Sequence, residues 1–236
     1  MKIEYFTKPF DHFIITDLLS PKAASSCLAE AVSLESKFEP SGVLVQDSSA
    51  EFDDCDHCKQ IKKVVSLSIR SNESMYFNNV FPDDIRWESI ILNMLDAALF
   101  GKPFTDHITS KGGIWSLWKS VSTSDVQGSR YGKCDFYSWH QDQRPDNEEQ
   151  RLFTIIYYLN EEPCTFKGGQ LRIGPVDDFK QIEPKHNSCI IFPSEKNHCV
   201  ENIHLCDPKF SAGRFSINYW AGFNNDCRIR KGVSRI

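Results

Sequence analysis

The second half of the chain is divided into short apolar segments, and this division limits the folds that it can adopt. Gly, Pro, Asn and Asp separate the segments, which cover residues 114–121, 131–142, 152–159, 169–173, 188–192, 199–203 and 214–220. Short segments of this kind, bounded by turn residues, are typical of β-strands that pair into a sandwich or a barrel. The sequence therefore predicts a mainly β second half.

The first half contains two segments with helical spacing. Ser20 and Pro21 supply an N-cap hydroxyl and a proline at the first helical position. A second helix is predicted over 84–100, with Gly101 ending it. The segment 36–58 reads as irregular and 63–70 as a strand. The residues expected on the two buried faces are Ala24, Cys27, Leu28, Ala31 and Val32 for the first helix and Ile91, Met94, Leu95 and Ala98 for the second.

Helices followed by strands predict an α+β fold, mainly β, in which helices support one side of a barrel or jelly roll. The sequence contains no repeat, linker or low-complexity tract that would divide it. We therefore expect one domain over 1–236, with a helical support and substrate region at 1–113, a barrel at 114–222 and a tail at 223–236.

The segment around His140 and Asp142 has the pattern of a metal site. Side chains two residues apart on a strand share a face, so an imidazole and a carboxylate can reach one ion. His198 begins a later apolar segment and is the predicted third ligand. His204 could compete with it, but six residues of strand separate the two histidines by about 20 Å, so both cannot bind one ion. Two His and one carboxylate describe the facial triad of non-haem Fe(II) oxygenases.

A further residue narrows the predicted chemistry. Residues 214–220 alternate, so that Arg214, Ser216, Asn218 and Trp220 share one face. If this face lines a barrel, the Arg214 guanidinium needs an anion, and its planar donors suit a carboxylate. An enzyme that uses 2-oxoglutarate requires this pairing, with iron at the keto acid end and Arg214 at the distal carboxylate.

The ordered motifs resemble the prolyl-hydroxylase branch of the Fe(II)/2-oxoglutarate dioxygenases. They are Tyr137-x-x-His140-x-Asp142, RLFTIIYYLN at 151–160, GGQLR at 168–172, IEPK at 182–185, His198 and the segment 214–220. The resemblance implies a double-stranded β-helix (cupin-like) barrel, with iron on His140, Asp142 and His198.

The same resemblance places the distal carboxylate of 2-oxoglutarate on Arg214 and Tyr158. Thr154 and Ser216 complete the residues predicted to contact this cosubstrate. It also implies O2 as the oxidant and ascorbate as a reductant. The substrate is expected to be an amino-acid side chain in a protein, a peptide or a free amino acid, and a prolyl side chain is favoured. The residues predicted to contact the substrate are Tyr137, Trp139, Arg172, Asn218 and Trp220.

Composition excludes several other classes. A net charge of −5 argues against nucleic acid as the main partner, and the apolar runs are too short to span a membrane. Residues 1–13 lack the apolar segment of a signal peptide, so we expect a cytoplasmic monomer or homodimer with reduced thiols. Cys55 and Cys58 have the spacing of half a zinc site, but an acidic solvated loop is favoured there.

Other functions remain open at this point. A small natural-product precursor is an alternative substrate, and a non-catalytic sensor or scaffold is an alternative of another class. Zinc hydrolysis is disfavoured because it gives Arg214 no task and no acid beside the ligands is an obvious general base. Halogenation is disfavoured because Asp142 occupies the position that a halide would need.

Overall fold

The computed structural model describes residues 1–46, 61–64, 69–143, 149–205 and 207–224 of the chain. Two predictions lie outside these residues: the acidic loop with Cys55 and Cys58, and the tail from residue 225 onward. Among the described residues, no helix is both long and apolar enough to cross a membrane.

The structure is mainly β, as predicted. The strands are β1 (Lys2–Phe6), β2 (His12–Thr16), β3 (Glu39–Pro40), β4 (Val43–Gln46), β5 (Ile61–Val64), β6 (Arg70–Ser71), β7 (Glu73–Tyr76), β8 (Thr123–Tyr131), β9 (Phe136–His140), β10 (Glu149–Leu159), β11 (Phe166–Gly168), β12 (Leu171–Ile173), β13 (Lys180–Ile182), β14 (Ser188–Pro193), β15 (His198–Val200), β16 (Ile203–Leu205) and β17 (Arg214–Asn224). The helices are α1 (Pro21–Ser33), α2 (Phe77–Val80), α3 (Ile90–Phe100) and α4 (Lys102–Thr109), with 3-10 turns at Glu35–Lys37, Arg86–Glu88, Gly113–Ser120 and Phe210–Ala212.

Two antiparallel sheets form the walls of the barrel. The major sheet has eight strands in the order β1-β2-β14-β10-β17-β8-β7-β3. The minor sheet has five, in the order β13-β12-β15-β9-β6. Two short ribbons, β11-β16 and β4-β5, complete the paired strands of the described residues. From β8 to β17 the chain crosses repeatedly between the two sheets, with β8, β10, β14 and β17 in the major sheet and β9, β12, β13 and β15 in the minor sheet. Repeated crossing of this kind is the topology of a double-stranded β-helix.

Alternation along the major sheet separates two cores. On β10, Phe153, Ile155 and Tyr157 face the helices, whereas Thr154 and Tyr158 face the barrel interior. The helical core also contains buried residues of α1, α3 and α4, and full burial of each large apolar side chain stabilises the fold by roughly 1.5–3 kcal/mol. The helices therefore cover one face of the sheet and leave its other face to form a cavity.

The predicted first helix is confirmed. Ser20 caps α1 by accepting a hydrogen bond from the backbone N–H of Ala23, and Pro21 is its first residue. Ala24, Cys27 and Ala31 are buried, and Leu28 and Val32 pack against the same core.

The predicted second helix is wrong at its start. A 3-10 turn occupies Arg86–Glu88, and α3 begins at Ile90, where Ser89 accepts a hydrogen bond from the Leu92 N–H. Glu30 of α1 also accepts hydrogen bonds from the first amides of α3, which fixes this boundary. On α3, Leu92 and Leu99 are buried, whereas Met94 is exposed, contrary to prediction. Gly101 ends α3 as predicted.

The N-terminal region also differs from the expected helical support. Residues 114–121 were predicted to be a strand, but Gly113–Ser120 is a 3-10 helix, because Trp115 and Trp118, three residues apart, both enter the helical core. β1, β2, β3 and β7 join the major sheet and β6 joins the minor one. The predicted strand 131–142 is two elements, the end of β8 and then β9. The first 113 residues therefore build part of the barrel wall.

Candidate metal centre

His140, Asp142 and His198 lie together at one end of the barrel interior. His140 ends β9, His198 begins β15, and the two are direct cross-strand partners with imidazole centroids 4.1 Å apart. The Asp142 carboxylate lies 3.7 Å from Nε2 of His140 and 3.3 Å from Nε2 of His198. One ligand atom from each residue lies within 4.8 Å of the other two. This is the donor set and spacing of a two-His, one-carboxylate metal site.

Backbone carbonyls orient both imidazoles toward the cluster. Nδ1 of His140 lies 2.8 Å from the carbonyl of Ser138, and Nδ1 of His198 lies 3.0 Å from the carbonyl of Lys196. A carbonyl can only accept, so each Nδ1 carries the proton and each Nε2 keeps a free lone pair. Such contacts fix the tautomer and ring orientation of histidines that bind metals.

The Asp142 carboxylate is held from the major sheet. Thr154 on β10 donates a hydrogen bond of 2.8 Å to its Oδ2, and the Ser194 hydroxyl lies 3.0 Å from the Thr154 hydroxyl. The Ser194 carbonyl accepts the Asp142 N–H at 3.0 Å. Asp142 is therefore fixed at both backbone and side chain, although it lies two residues beyond the end of β9.

The protonation states suit metal binding. Burial, followed by the neighbouring His198, lowers the pKa of His140 to about 3, so its imidazole is neutral near pH 7. Burial by itself raises the pKa of Asp142, but interactions with His198 and then His140 outweigh it and hold this pKa well below its usual range. A neutral imidazole and an ionised carboxylate are the forms that ligate a metal.

A β-bulge in β9 brings Tyr137 to the same face as His140. The register between β9 and β15 pairs His140 with His198 but Tyr137 with Val200, so Ser138 and Trp139 together oppose Cys199. The Tyr137 ring stacks on His140 with centroids 3.5 Å apart. In a regular strand, residues three apart would point to opposite faces, so the bulge is what places Tyr137 beside the metal cluster.

Arg214 forms a second centre on the interior face of β17. It is 1% exposed, and its guanidinium carbon lies 4.8 Å from the ring centroids of both Tyr131 and Tyr158. Its Nε and Nη1 have no hydrogen-bond partner among the described residues, and neither does the Tyr158 hydroxyl. Burial raises the pKa of Tyr158, so this hydroxyl stays protonated and can donate. Three buried donors thus converge where an anion with several acceptor oxygens would fit.

The absence of a side chain at Gly169 makes room for Arg214. Gly169 has a φ of +68°, and a Cβ on it would come within 2.9 Å of Cδ of Arg214 and of the Ile203 side chain. A larger residue would be strained at this φ and would displace the guanidinium. The glycine pair at 168–169 is therefore part of the arginine site.

Three of the predicted substrate residues line the interior: Tyr137, Asn218 and Trp220. Trp220 is the cross-strand partner of Thr154, and its indole N–H is buried without a hydrogen-bond partner in the described structure. Asn218, two residues before Trp220 on β17, is the adjacent inward position, and its side-chain amide donates to the Ser129 hydroxyl. Ser216 is the next inward position, paired with Tyr158, between Asn218 and Arg214.

The other two predicted substrate residues, Trp139 and Arg172, are not brought to the metal cluster. Arg172 is paired with Cys199, whereas its neighbour Ile173 is paired with His198, so Arg172 points to the outer face of the minor sheet. There it forms an ion pair with Glu201 and lies 4.4 Å from the Phe179 ring. Both residues line an outer cavity of about 520 Å³.

Sequence reasoning missed several interior residues. Tyr131 faces Arg214 because it ends β8 as its cross-strand partner, and strand alternation back from 131 would also have placed Ser129 and Gln127 inside. Arg70 lies with its guanidinium carbon 4.5 Å from the Tyr137 ring, on a strand of two residues with no readable period.

The comparisons with known proteins agree with this geometry. Residues 126–222 match the family described as the 2OG-Fe(II) oxygenase superfamily. An uncharacterised PKHD-type hydroxylase of Synechocystis sp. is 28% identical over 110 residues, which are 42% of this chain. The matched region spans 36% of that relative's length.

Solved structures show the same fold. A prolyl-4-hydroxylase of Pseudomonas putida is similar with a TM-score of 0.57 and 18% identity, over 89% of this chain and 91% of that one. A prolyl hydroxylase of Trichoplax adhaerens, solved with a peptide fragment of hypoxia inducible factor, has a TM-score of 0.59 and 18% identity, over 95% and 87% of the two chains. These likenesses extend to the N-terminal region, which the family match does not include.

Proposed function

We propose that the protein is a dioxygenase of the prolyl-hydroxylase-like branch that depends on Fe(II) and 2-oxoglutarate. The match of residues 126–222 to the 2OG-Fe(II) oxygenase superfamily supports this proposal. The protein hydroxylates an unactivated C–H bond of an amino-acid side chain, most favourably a prolyl-type one. The observation that carries the proposal is one barrel interior that contains both a His-Asp-His cluster and a buried arginine without an anion among the described residues.

The metal end fits Fe(II). His140, Asp142 and His198 would hold the ion from one side, which leaves positions for other ligands. The ligands are already oriented by carbonyls and by Thr154, so binding requires little rearrangement. Iron, when bound with 2-oxoglutarate and O2, supplies the oxidation of the C–H bond.

The arginine end fits the distal carboxylate of 2-oxoglutarate. Arg214 offers buried N–H donors in a planar fork, and Tyr158 adds a hydroxyl beside it. Tyr131 covers the other face of the guanidinium and keeps water from it. Buried polar groups without partners are costly, which supports a ligand that completes them.

The chain's own residues bind, orient and desolvate the reactants. Tyr137 and Trp220 flank the metal cluster, where an incoming side chain would be placed over the ion. Thr154 holds Asp142 in position, because its hydroxyl donates to Oδ2 and a carboxylate oxygen can accept more than one interaction. Such positioning contributes to the rate by holding the reacting groups in a productive geometry.

The proposed substrate class follows from the names of the similar solved proteins. The solved relatives include two prolyl hydroxylases, one of them bound to a peptide. We therefore propose an amino-acid side chain in a peptide, a protein or a free amino acid, and a cytoplasmic setting in which the chain's nine cysteines stay reduced. A small natural-product precursor is the runner-up.

Mass spectrometry tests the proposal. Protein loaded with Fe(II) is incubated with 2-oxoglutarate, O2 and ascorbate, together with libraries of proline-containing peptides and free amino acids. We expect a product that gains one oxygen atom and a matching amount of succinate, and neither with the Asp142→Asn variant. Succinate without a hydroxylated amino acid or peptide would favour the natural-product alternative. Absence of succinate from folded, iron-loaded protein would reject the oxygenase.

A further inference from the structure

A second buried arginine, Arg70, lies in the interior beside the metal cluster. It is 8% exposed and comes from β6, the edge strand of the minor sheet. Its Nε donates to the Asn72 side-chain oxygen and its Nη2 donates to Oε1 of Gln127 at 3.2 Å. Both acceptors are neutral amides, and the structure gives the guanidinium no ion pair with any carboxylate in its described part.

Two arginines of the major sheet, Arg151 on β10 and Arg130 on β8, are paired differently. Arg151 donates to the Asp125 carboxylate at 2.8 Å, and Arg130 donates to the Glu73 carboxylate at 2.9 Å. Removing a cation from water is costly unless an anion compensates it. Arg151 and Arg130 meet this condition within the chain, whereas Arg70 has hydrogen bonds without charge compensation.

Arg70 lies one aromatic ring away from a metal ligand. Its guanidinium carbon lies 4.5 Å from the Tyr137 ring centroid, and the Tyr137 ring stacks on His140 at 3.5 Å. Gln127, which receives the Arg70 hydrogen bond, faces Asn218 across β8 and β17. Asn218 is the inward position next to Trp220, so this pair lies at the level of the metal cluster and not at the level of Arg214.

The neighbouring hydrogen bonds orient Gln127 as a donor toward the cavity. Its Oε1 accepts from both Arg70 and the Ser129 hydroxyl, so its amide nitrogen points away from these partners. Ser129 in turn accepts from Asn218, which fixes the hydroxyl proton toward Gln127. Arg70 and Gln127 therefore present a positive charge and an N–H donor beside the metal cluster, and a carboxylate satisfies both.

We propose that Arg70 and Gln127 bind a carboxylate of the substrate, and hence that the hydroxylated molecule carries a carboxylate close to its reacting carbon. This inference rests on the proposed oxygenase function and specifies its substrate. Two sources share this chemistry: the α-carboxylate of a free amino acid, and an Asp or Glu side chain adjacent to the target residue in a peptide.

Matched acid and amide pairs separate the two sources. Free L-amino acids, L-proline included, are compared with their carboxamides, and proline-containing peptides with Asp or Glu beside proline are compared with their Asn or Gln counterparts. The readout is succinate formed above the substrate-free rate, with the oxygenated product identified by mass. We expect the acid of a pair to exceed its amide in kcat/KM by roughly 30-fold or more, the size of a lost buried charge pair.

The substitution Gln127→Glu tests the uncompensated charge directly. It keeps the shape of the side chain and gives Arg70 an internal carboxylate, so substrate-free protein should melt higher by about 2–4 °C. The same variant should lose the preference for the acid over the amide, because Arg70 is already occupied. Arg70→Met should lose the preference as well, whereas Arg130→Met, outside the cavity, should melt lower and keep it.

Equal use of acids and amides by the wild type would overturn the proposal, and so would an acid preference that persists in both Gln127→Glu and Arg70→Met. The proposal also fails if succinate forms without substrate and no acid increases its rate. That result would leave the oxygenase function intact. If succinate never forms, the oxygenase function fails. The melting temperature of Gln127→Glu still tests whether Arg70 lacks charge compensation, because a value below that of the wild type would contradict this claim.

Discussion

The two ends of the barrel interior carry polar groups of opposite character. At the metal end, the Asp142 carboxylate has a hydrogen bond from Thr154 and two imidazoles beside it. At the arginine end, Arg214 lies between the rings of Tyr131 and Tyr158 with buried donors that have no partner among the described residues. One end is arranged for a cation and the other for an anion.

Fold stability explains little of this arrangement. A guanidinium that is 1% exposed and lacks an anion destabilises a folded chain, and an apolar side chain of similar volume would avoid this cost. The cluster of His140, Asp142 and His198 has partial internal compensation, yet its lone pairs converge on one point. Both features are accounted for by the ligands proposed for the two ends, Fe(II) and 2-oxoglutarate.

Replacing a metal ligand should have the largest effect. We expect His140→Ala, Asp142→Ala and His198→Ala each to reduce turnover to background, because two ligands hold iron poorly. Melting temperatures should stay close to wild type, since the cluster lies at one end of the barrel rather than in the helical core. Succinate formation and metal content by mass spectrometry check the first point, and thermal denaturation checks the second.

His204→Ala is the control for the ligand variants. His204 is exposed on β16 and lines the outer cavity, so its loss should change neither metal content nor turnover. Full activity of His198→Ala, or loss of activity in His204→Ala alone, would reject the assignment of the third ligand.

Replacing Arg214 should affect the anion end selectively. Arg214→Met keeps most of the side-chain volume and removes the charge, so 2-oxoglutarate binding should weaken by about 2–5 kcal/mol. The KM for 2-oxoglutarate should then rise by roughly 30-fold to several thousand-fold. Without ligand the variant should melt no lower than wild type, because an uncompensated buried charge is gone. Thermal denaturation without ligand gives the melting temperature of the variant. The rise of this temperature with increasing 2-oxoglutarate reports the strength of binding, since ligand binding stabilises the folded chain. An unchanged 2-oxoglutarate response would contradict the anion site.

Thr154→Val should weaken the metal end without removing a ligand. The variant loses the hydrogen bond that holds Asp142 Oδ2 and leaves the shape of the side chain intact. Loss of such a supporting contact typically lowers metal affinity by about 10–100-fold. Titration with Fe(II) under nitrogen measures this change. Ser194→Ala leaves the Thr154 donor in place and should have a weaker effect; a larger effect than that of Thr154→Val would show that Ser194 is the main support.

Tyr158→Phe should have the smallest effect of the set. It removes a neutral donor beside Arg214 and keeps the ring that packs on the guanidinium. A neutral hydrogen bond contributes about 0.5–1.5 kcal/mol, so the KM for 2-oxoglutarate should rise roughly 2- to 12-fold. A loss as large as that of Arg214→Met would mean that the hydroxyl, and not the guanidinium, dominates the anion end.

Strand periodicity made the residues at the metal end and the arginine end of the barrel interior predictable. Alternation along 214–220 placed Arg214, Ser216, Asn218 and Trp220 on one face, and β17 has this arrangement. The pattern that joins His140, Asp142 and His198 required only that two segments meet in one sheet, as β9 and β15 do. Such features depend on local period and on chain order, both of which are visible in a sequence.

Features that depend on tertiary contacts were not predictable. Strand alternation puts Tyr137 on the face opposite to His140, and the bulge at Ser138 and Trp139 reverses this. The family motif, and not the local period, pointed to Tyr137. The start of α3 depends on Glu30 of another helix, and the 3-10 helix at Gly113–Ser120 replaces a predicted strand because its tryptophans pack into the helical core. Arg172 was assigned to the substrate side, but its place in the register of β12 turns it outward.

Binding of 2-oxoglutarate under nitrogen, with and without Fe(II), tests the central claim most directly. If the metal end and the arginine end hold one cosubstrate between them, equilibrium dialysis should find one equivalent bound per chain. Its affinity should fall sharply when the metal is omitted or when Arg214 is replaced by Met. Equal affinity with and without Fe(II), or in Arg214→Met, would show that the two ends do not share a ligand and would contradict the account.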